Sequence, residues 1–306
     1  MLKTIDFVIP VYQNEYTVFK TYNEIKKIFI HNDYDVKIIF INDSSRDNSL
    51  RELKKIKKID PDNVLIINLA KNYGQINAIY SGYCHSNADY VVTIAADLQD
   101  PVTIIQDAMS KKNLDELIVF ARRERNDGFF QDRISNFFWK FIKNISGLNF
   151  PEGGFDTFIM SKELKEKVVS NFYKGLFLQG LLLTLHPNPR VYFYSRLKRE
   201  FGKSSWTFLK KLSYFNSAIF QFSELPLTFL ALVATSTFFI TIIFIMIIFY
   251  LHFFTDNPVR GWMSLATILS IGLSLLSLAI WIFSKYVQKI NNINSKLPLF
   301  TQDEKK

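Results

Sequence analysis

Cysteine is all but missing from the 306 residues: Cys84 stands alone. No disulfide can close within the chain, and a reducing compartment suits it. Histidine is scarce too. His31, His85, His186 and His252 are scattered, and no pair has the spacing of metal ligands. RNA- and DNA-reading motifs are lacking, so the formal net charge of +9 points away from nucleic acid and toward anionic lipid or diphosphate. No internal repeat is evident. No leader-like apolar region opens the chain, since Met1-Leu2-Lys3 runs straight into Ile5-Asp6-Phe7-Val8-Ile9. The expectation is a cytosolic N-terminal domain.

Charge itself is lacking from two long stretches. Leu227–Leu251 holds 25 residues without a charge and Gly261–Ser284 holds 24. At a helical rise of about 1.5 Å per residue each would reach about 36 Å, more than a hydrocarbon core of about 30 Å. Two membrane spans are therefore expected, joined by the short linker His252–Arg260. Lys210, Lys211, Lys285 and Lys289 flank their outer ends, which places both termini in the cytosol by the positive-inside rule. Tyr250, Trp262, Trp281 and Tyr286 fall where interfacial aromatics belong. Before the spans, Ser204–Phe222 combines Trp206, Phe208, Leu209, Leu212, Phe215 and Phe220 with Lys203, Lys210 and Lys211. That pattern suits an amphipathic helix on a membrane surface, or an ordinary surface helix packed on its own domain. The expected division is a cytosolic domain at 1–200, an interface helix at 201–226, two spans at 227–290 and a cytosolic tail at 291–306.

What is present in the first 120 residues is alternation. Short apolar runs at Ile5–Ile9, Val36–Ile41, Val64–Leu69, Tyr90–Ala95 and Glu116–Ala121 read as strands. Longer amphipathic stretches at Glu15–Ile30, Asp47–Lys58, Gln75–His85 and Pro101–Ser110 read as helices. This predicts an α/β domain, a mostly parallel sheet covered on both faces, with ligands at the carboxyl ends of its strands. After Ala121 the pattern breaks into a loop, an aromatic helix at Gln131–Ile145 and a turn at Pro151-Glu152-Gly153-Gly154.

Four polar clusters follow predicted strands and so converge on one sheet edge: Pro10-Val11-Tyr12-Gln13-Asn14-Glu15, Asn42-Asp43-Ser44-Ser45, Lys71-Asn72-Tyr73-Gly74 and Asp97-Leu98-Gln99-Asp100-Pro101. In order and spacing they resemble the family 2 glycosyltransferases of the type-A nucleotide-sugar fold, in particular the polyprenyl-phosphate glycosyltransferases. The likeness extends from residue 4 to about 290. It implies a type-A fold with a C-terminal two-helix transmembrane hairpin, an integral protein of the bacterial inner membrane, and a homo-oligomer. It also implies transfer of a hexosyl group, with inversion, from a UDP- or GDP-hexose to a polyprenyl phosphate.

The resemblance implies a role for each cluster, and the chemistry of its residues suits that role. Pro10, Tyr12 and Glu15 would supply the wall of a nucleotide slot and a ribose acceptor, Asp43 would accept from the base, and Lys71 and Asp97 would also bind the nucleotide. Asp43-Ser44-Ser45 also reads as a plain turn with Asp47 capping the next helix. Asp97 and Gln99 would hold Mg²⁺ or Mn²⁺ against the diphosphate. Position 95 is Ala where the resemblance expects a further acid, and 42 is Asn where it expects Asp. Asp100, before Pro101, reads as an N-cap. A polyprenyl phosphate is already an oxyanion, so positioning and positive charge matter more than a strong base. Arg122, Arg123, Arg133, Ser135, Arg196, Arg199 and Lys203 are candidates to bind it. Arg196-x-x-Arg199-x-x-Gly202-x-Ser204 resembles the family's acceptor segment, and it equally suits a membrane-surface anchor. Asp156 matches a family acid that would orient acceptor or sugar, with Asp97 and Arg133 as the other catalytic candidates; a turn carboxylate is its plainer reading. Transfer to another lipid or glycan, or an inactive membrane scaffold, are the rival readings.

Overall fold

The computed structural model describes residues 2–29, 34–110, 116–124, 139–195 apart from 141 and 145, 197, 219, 225–254, 261–294 and 299–303. They form two units, one of residues 1–217 with 296–306, the other of residues 218–295. Arg133, Ser135, Arg196, Arg199, Lys203 and all but residue 219 of the expected interface helix Ser204–Phe222 lie outside the described residues.

The first unit is built on a seven-stranded sheet in the order β3-β2-β1-β4-β6-β5-β7. Its strands are β1 (Lys3–Val11), β2 (Tyr34–Asn42), β3 (Val64–Asn68), β4 (Tyr90–Thr93), β5 (Leu117–Glu124), β6 (Phe155–Ser161) and β7 (Arg190–Ser195). The β3-β2-β1-β4 half is parallel, as the alternating pattern predicts. Beyond it the sheet is mixed, because β6 runs antiparallel to both β4 and β5. The start of β6 is thereby brought to the edge where β4 and β5 end.

Helices cover both faces. On one face α1 (Val18–Phe29), α2 (Ser49–Ile59) and α4 (Thr103–Met109) join Ile5, Phe7, Ile9, Ile38 and Phe40 in a single core. On the other, α3 (Gln75–His85) lies so close that a Cβ added at Gly82 would stand 2.5 Å from Val8 Cγ1. There α3 packs with α5 (Lys162–Ser170), which in turn packs with α6 (Leu178–Leu185). Central parallel strands are buried on both sides, which is why β1 and β2 read as continuous apolar runs rather than alternating ones.

The second unit contains α7 (Leu225–Phe254) and α8 (Trp262–Asn294). Among the described residues, no helix is long and apolar enough to cross a membrane. That finding overturns the expected transmembrane hairpin, and with it the reading as an integral membrane protein. The expectation rested on absence of charge, a weaker condition than a continuous apolar length. Thr228, Thr235 and Ser236 punctuate α7, and α8 runs on past its charge-free stretch through Lys285 and Lys289 to Asn294. Two hydroxyls bond back within their own helices, Ser236 Oγ donating to Leu232 O at 2.9 Å and Ser284 Oγ to Ile280 O at 2.8 Å.

Candidate active site

The loops after β1, β2, β3 and β4 meet at the carboxyl edge of the sheet. Their backbones are unusual there. Among the described residues the non-glycine positions with positive φ are Gln13 (58°), Ser44 (54°) and Leu98 (57°), one in each of the loops after β1, β2 and β4. Gly74, at the start of α3, has φ 87°. Such conformations cost free energy and persist where surrounding contacts impose them, as they do at binding sites.

Hydrogen bonds between neighbouring loops hold these conformations in place. Gln13 N donates to Ser45 Oγ at 3.1 Å and Asn14 N to Ser49 Oγ at 2.8 Å. Asp47 accepts from Glu15 N and Ser49 N, at 3.2 and 3.0 Å, but the N-cap of α2 is Asn48, so Asp47 ties the first loop to the residue before the helix rather than capping it. Glu15 sits on the same turn. Its Oε2 accepts from the backbone N and the side-chain amide of Asn48, both at 3.0 Å. This carboxylate fastens the first loop to the start of α2, a neighbouring task to the ribose contact expected for it. Pro10, near the end of β1, and Tyr12, just past it, are half-buried.

Asp43 is 3% exposed and is more than a turn residue. Its Oδ1 accepts from Tyr73 N at 2.7 Å and its Oδ2 from Gly74 N at 2.9 Å. A carboxylate at the N-terminus of α3 satisfies orphan N–H groups and is favoured by the helix dipole. Asp43 thus shapes the Lys71–Gly74 loop. Lys71 is exposed, its ammonium 5.1 Å from the Tyr73 ring centroid. The departure at position 42 has a local reason. Asn42 Nδ2 donates to Asn68 Oδ1 at 2.6 Å, while Asn42 Oδ1 accepts from Ser45 N. An aspartate there would lose the donor that Asn68 receives.

Around Asp97 the chain makes a tight turn, with Gln99 N donating to Asp97 Oδ1 at 3.2 Å. Gln99 is buried. Its backbone O accepts from Leu197 N at 2.9 Å and its amide nitrogen donates to Leu197 O at 3.5 Å. Among the described residues no group of three or more His, Cys, Asp or Glu could hold a metal ion. The donor set present is Asp97, one hard carboxylate oxygen pair beside Ala95. That fits a cation whose shell is completed by phosphate and water, as Mg²⁺ commonly is.

Asp100 was expected to cap α4. It is instead 3% exposed, accepting from Thr157 Oγ1 at 2.6 Å and from the Tyr194 hydroxyl. The side chain therefore pins the Asp97 loop to β6 and β7. Nothing local in the sequence marks it, because its partners lie 57 and 94 residues away.

Asp156 stands at the start of β6, on the same edge. Gln179 on α6 donates through Nε2 to Asp156 Oδ1 at 3.1 Å and to Phe155 O at 3.3 Å. Phe158 is a core residue in edge-on contact with Phe155. Just upstream, Gly154 (φ 64°) passes over Trp139: an added Cβ would lie 2.1 Å from the indole. Trp139 packs with Phe150 and Phe177 beneath this turn. The backbone of Arg122 pairs with Tyr194 in the β5–β7 register.

Comparison with known proteins gives this arrangement a family. A bactoprenol glucosyl transferase of Shigella phage SfV is 30% identical over 292 residues, 94% of this chain and 94% of its own. An uncharacterized glycosyltransferase of Bacillus subtilis (strain 168), YkcC, is 26% identical over 96% of this chain and 91% of its own. A prophage bactoprenol glucosyl transferase homolog of Escherichia coli (strain K12) is 27% identical, covering 97% of both. Among solved structures, a glucosyl-3-phosphoglycerate synthase from Mycobacterium tuberculosis, in complex with Mn²⁺, UDP-glucose and phosphoglyceric acid, matches with a TM-score of 0.51 at 15% identity. The match covers 71% of this chain and 78% of that one, and it supports the type-A fold. Residues 6–169, more than half of the chain, match the family described as Glycosyl transferase family 2. A glycosyltransferase belonging to that family, and to its polyprenyl-phosphate branch, is what the chain is.

Proposed function

We propose that the chain transfers a hexosyl group from a nucleotide diphosphate sugar to a polyprenyl phosphate, with inversion at the anomeric carbon and at the cytosolic face of the membrane. The observation that carries the reading is the convergence of the Asp43, Asp97 and Asp156 loops on one sheet edge, with backbone strain in the first two. The relatives named bactoprenol glucosyl transferase support the acceptor class.

In this reading the nucleotide lies along the β1 and β2 loops, walled by Pro10 and Tyr12, with Asp43 accepting from the base and Lys71 facing the phosphates. Asp97 would hold a divalent cation, Mg²⁺ or Mn²⁺, whose charge offsets that building on the departing diphosphate. Gln99 serves mainly by docking its loop to Leu197. Asp156, oriented by Gln179, faces the transferred sugar or the acceptor. Arg122, Arg133, Ser135, Arg196 and Arg199 are the candidates to hold the acceptor phosphate. Arginine suits that task because its planar fork can bind phosphate oxygens bidentately. One phosphate oxygen attacks the anomeric carbon as the bond to the diphosphate oxygen breaks on the opposite face. No proton need be removed from the nucleophile, so positioning and electrostatics carry the reaction.

The test is a transfer assay in detergent with UDP- and GDP-hexoses and undecaprenyl phosphate, run on the native chain and on Asp97→Ala. Sugar should pass to the lipid phosphate and depend on a divalent cation. Asp97→Ala should lower turnover at least about a hundredfold, the scale lost with a group that stabilises developing charge. Transfer to a different acceptor only, or full activity in excess chelator, would overturn the acceptor or the metal part respectively.

A further inference from the structure

The last residues of the chain return to the first unit. Thr301 and Asp303 bracket Leu69 at the end of β3: Ala70 N donates to Thr301 O at 2.9 Å, and Asp303 N to Asn68 O at 2.8 Å. The Thr301 and Tyr73 hydroxyls share a hydrogen bond of 2.6 Å. Phe300 packs edge-on against Tyr80 of α3, 6.0 Å between centroids. Gln302 Nε2 lies 2.9 Å from His85 Nε2 at the far end of the same helix.

β3 is an edge strand, and covering an edge is a common way to block unwanted pairing. This cover is badly placed for that purpose. Among the described residues its backbone contacts fall at Asn68–Ala70, at the end of β3 rather than along it. It sits where the strand turns into the Lys71–Gly74 loop. Asn68 is also the residue that receives Asn42, and Leu69 N donates to Asn42 O at 2.9 Å. One four-residue segment therefore grips the end of β3, the side chain of Tyr73 and the helix that starts at Gln75. Those are the pieces that bring Tyr73 N and Gly74 N to the Asp43 carboxylate.

We propose that Phe300–Asp303 is a positioning strap for the nucleotide pocket, so that affinity for the nucleotide part of the donor depends on the C-terminal tail. The inference rests on the reading that the Asp43 loop takes a nucleoside diphosphate. The strap touches no substrate. It acts through the loop, by narrowing the geometries in which Asp43 is held.

Three variants of the full chain test it: Asp303→Pro, which removes the N–H given to Asn68; Thr301→Val, which removes the hydroxyl shared with Tyr73; and Asp43→Ala. Calorimetry with UDP and GDP is combined with the kinetics of both substrates and with a thermal melt. Asp303→Pro should raise nucleotide Kd and donor KM about threefold to tenfold, the range that one or two lost hydrogen bonds support. Thr301→Val should give a smaller rise of the same kind. The KM for polyprenyl phosphate and kcat at saturating donor should stay within about twofold, below the loss of a single such bond. A synthetic peptide of residues 299–306 should restore nucleotide affinity to Asp303→Pro. If Asp303→Pro melts lower but binds nucleotide as the native chain does, the strap is only an edge cover and the proposal fails. If Asp43→Ala also leaves nucleotide binding unchanged, the pocket itself has been misplaced, a different failure from that of the strap.

Discussion

The two edges of the parallel half-sheet use similar residues to opposite ends. At the carboxyl edge, loops are held at positive φ, and carboxylates such as Asp43 and Asp100 bind backbone N–H or hydroxyl groups to hold neighbouring loops in place. At the amino edge the acids close short, relaxed contacts. Asp89 accepts from Thr4 N and Thr4 Oγ1 at 2.9 and 3.0 Å, which keeps its carboxyl below the ordinary value. Asp60 pairs with Lys26 at 2.9 Å. Asp6 is buried nearby, and burial pushes its carboxyl up. A carboxylate that ties down a strained loop and one that staples a relaxed edge look alike in the sequence. They differ in which end of a strand they follow.

If that contrast is right, changes at the carboxyl edge should move activity and changes elsewhere should move stability. Asp43→Ala is the largest effect expected on donor KM. It leaves Tyr73 N and Gly74 N without their acceptor, so donor KM should rise about ten- to hundredfold, the cost of about 1–3 kcal/mol for unsatisfied buried donors. Kinetics at saturating acceptor measure it, and an unchanged KM would break the comparison at its strongest point.

Gly82→Ala probes the layer between the edges. The new methyl meets Val8 Cγ1 at 2.5 Å, and the branched valine has little freedom to turn away. Overpacking of this kind costs about 1–3 kcal/mol. Chemical denaturation should show the loss, while donor KM measured on the folded fraction stays at the native value.

Ser44→Gly is smaller and of opposite sign. Serine at φ 54° is strained, and glycine adopts such a φ without steric cost. Relief of about 1–2 kcal/mol is partly offset by the greater freedom of glycine in the unfolded chain, leaving a gain of about 0.5–1 kcal/mol. A higher midpoint in urea with donor KM unaltered supports strain that merely accompanies the site. A raised KM would mean that the strained serine itself sets the pocket.

Much of this was legible beforehand because it is local. Alternating apolar runs and amphipathic stretches predicted β1 to β5 and α1 to α4 nearly in place, and the polar clusters do follow strands that share one sheet edge. What escaped is held by long-range contacts. Asp100 meets Thr157 and Tyr194, and Tyr73 meets Thr301 across 228 residues. No periodicity reports such pairs. The antiparallel β6 escaped as well, because direction within a sheet is decided by the connection and not by the strand's own pattern. The hairpin reading failed for another reason: it equated freedom from charge with a spanning apolar length, and the helices among the described residues do not provide that length.

The smallest predicted effect tests the amino edge through pH. Burial by itself pushes the Asp60 carboxyl up. Lys26 at 2.9 Å, Asn63 Nδ2 at 2.8 Å and the Tyr22 hydroxyl at 3.1 Å outweigh it, and the carboxyl lies below its ordinary 3.8. Tyr22 is pushed up to about 12, by burial first and then by the same carboxylate. A carboxyl with a lowered folded value favours the folded state when ionised. Its contribution is complete above the unfolded value near 3.8 and is lost as pH falls through the folded one. The Lys26–Asp60 pair is partly open to solvent, so screening holds the contribution to about 0.2–1 kcal/mol. Asp60→Asn should therefore melt lower than the native chain at pH 7, and the gap should close as pH drops below about 4, near the carboxyl's unfolded value. Donor KM at pH 7 should not change, because Asp60 lies between α2 and the start of β3, at the opposite edge from the Asp43 loop. Melts of both proteins at pH 7, 5 and 3 settle the sign. A gap that persists at pH 3 means the asparagine has disturbed packing around Tyr22, and a change in donor KM means that the two edges are not separate.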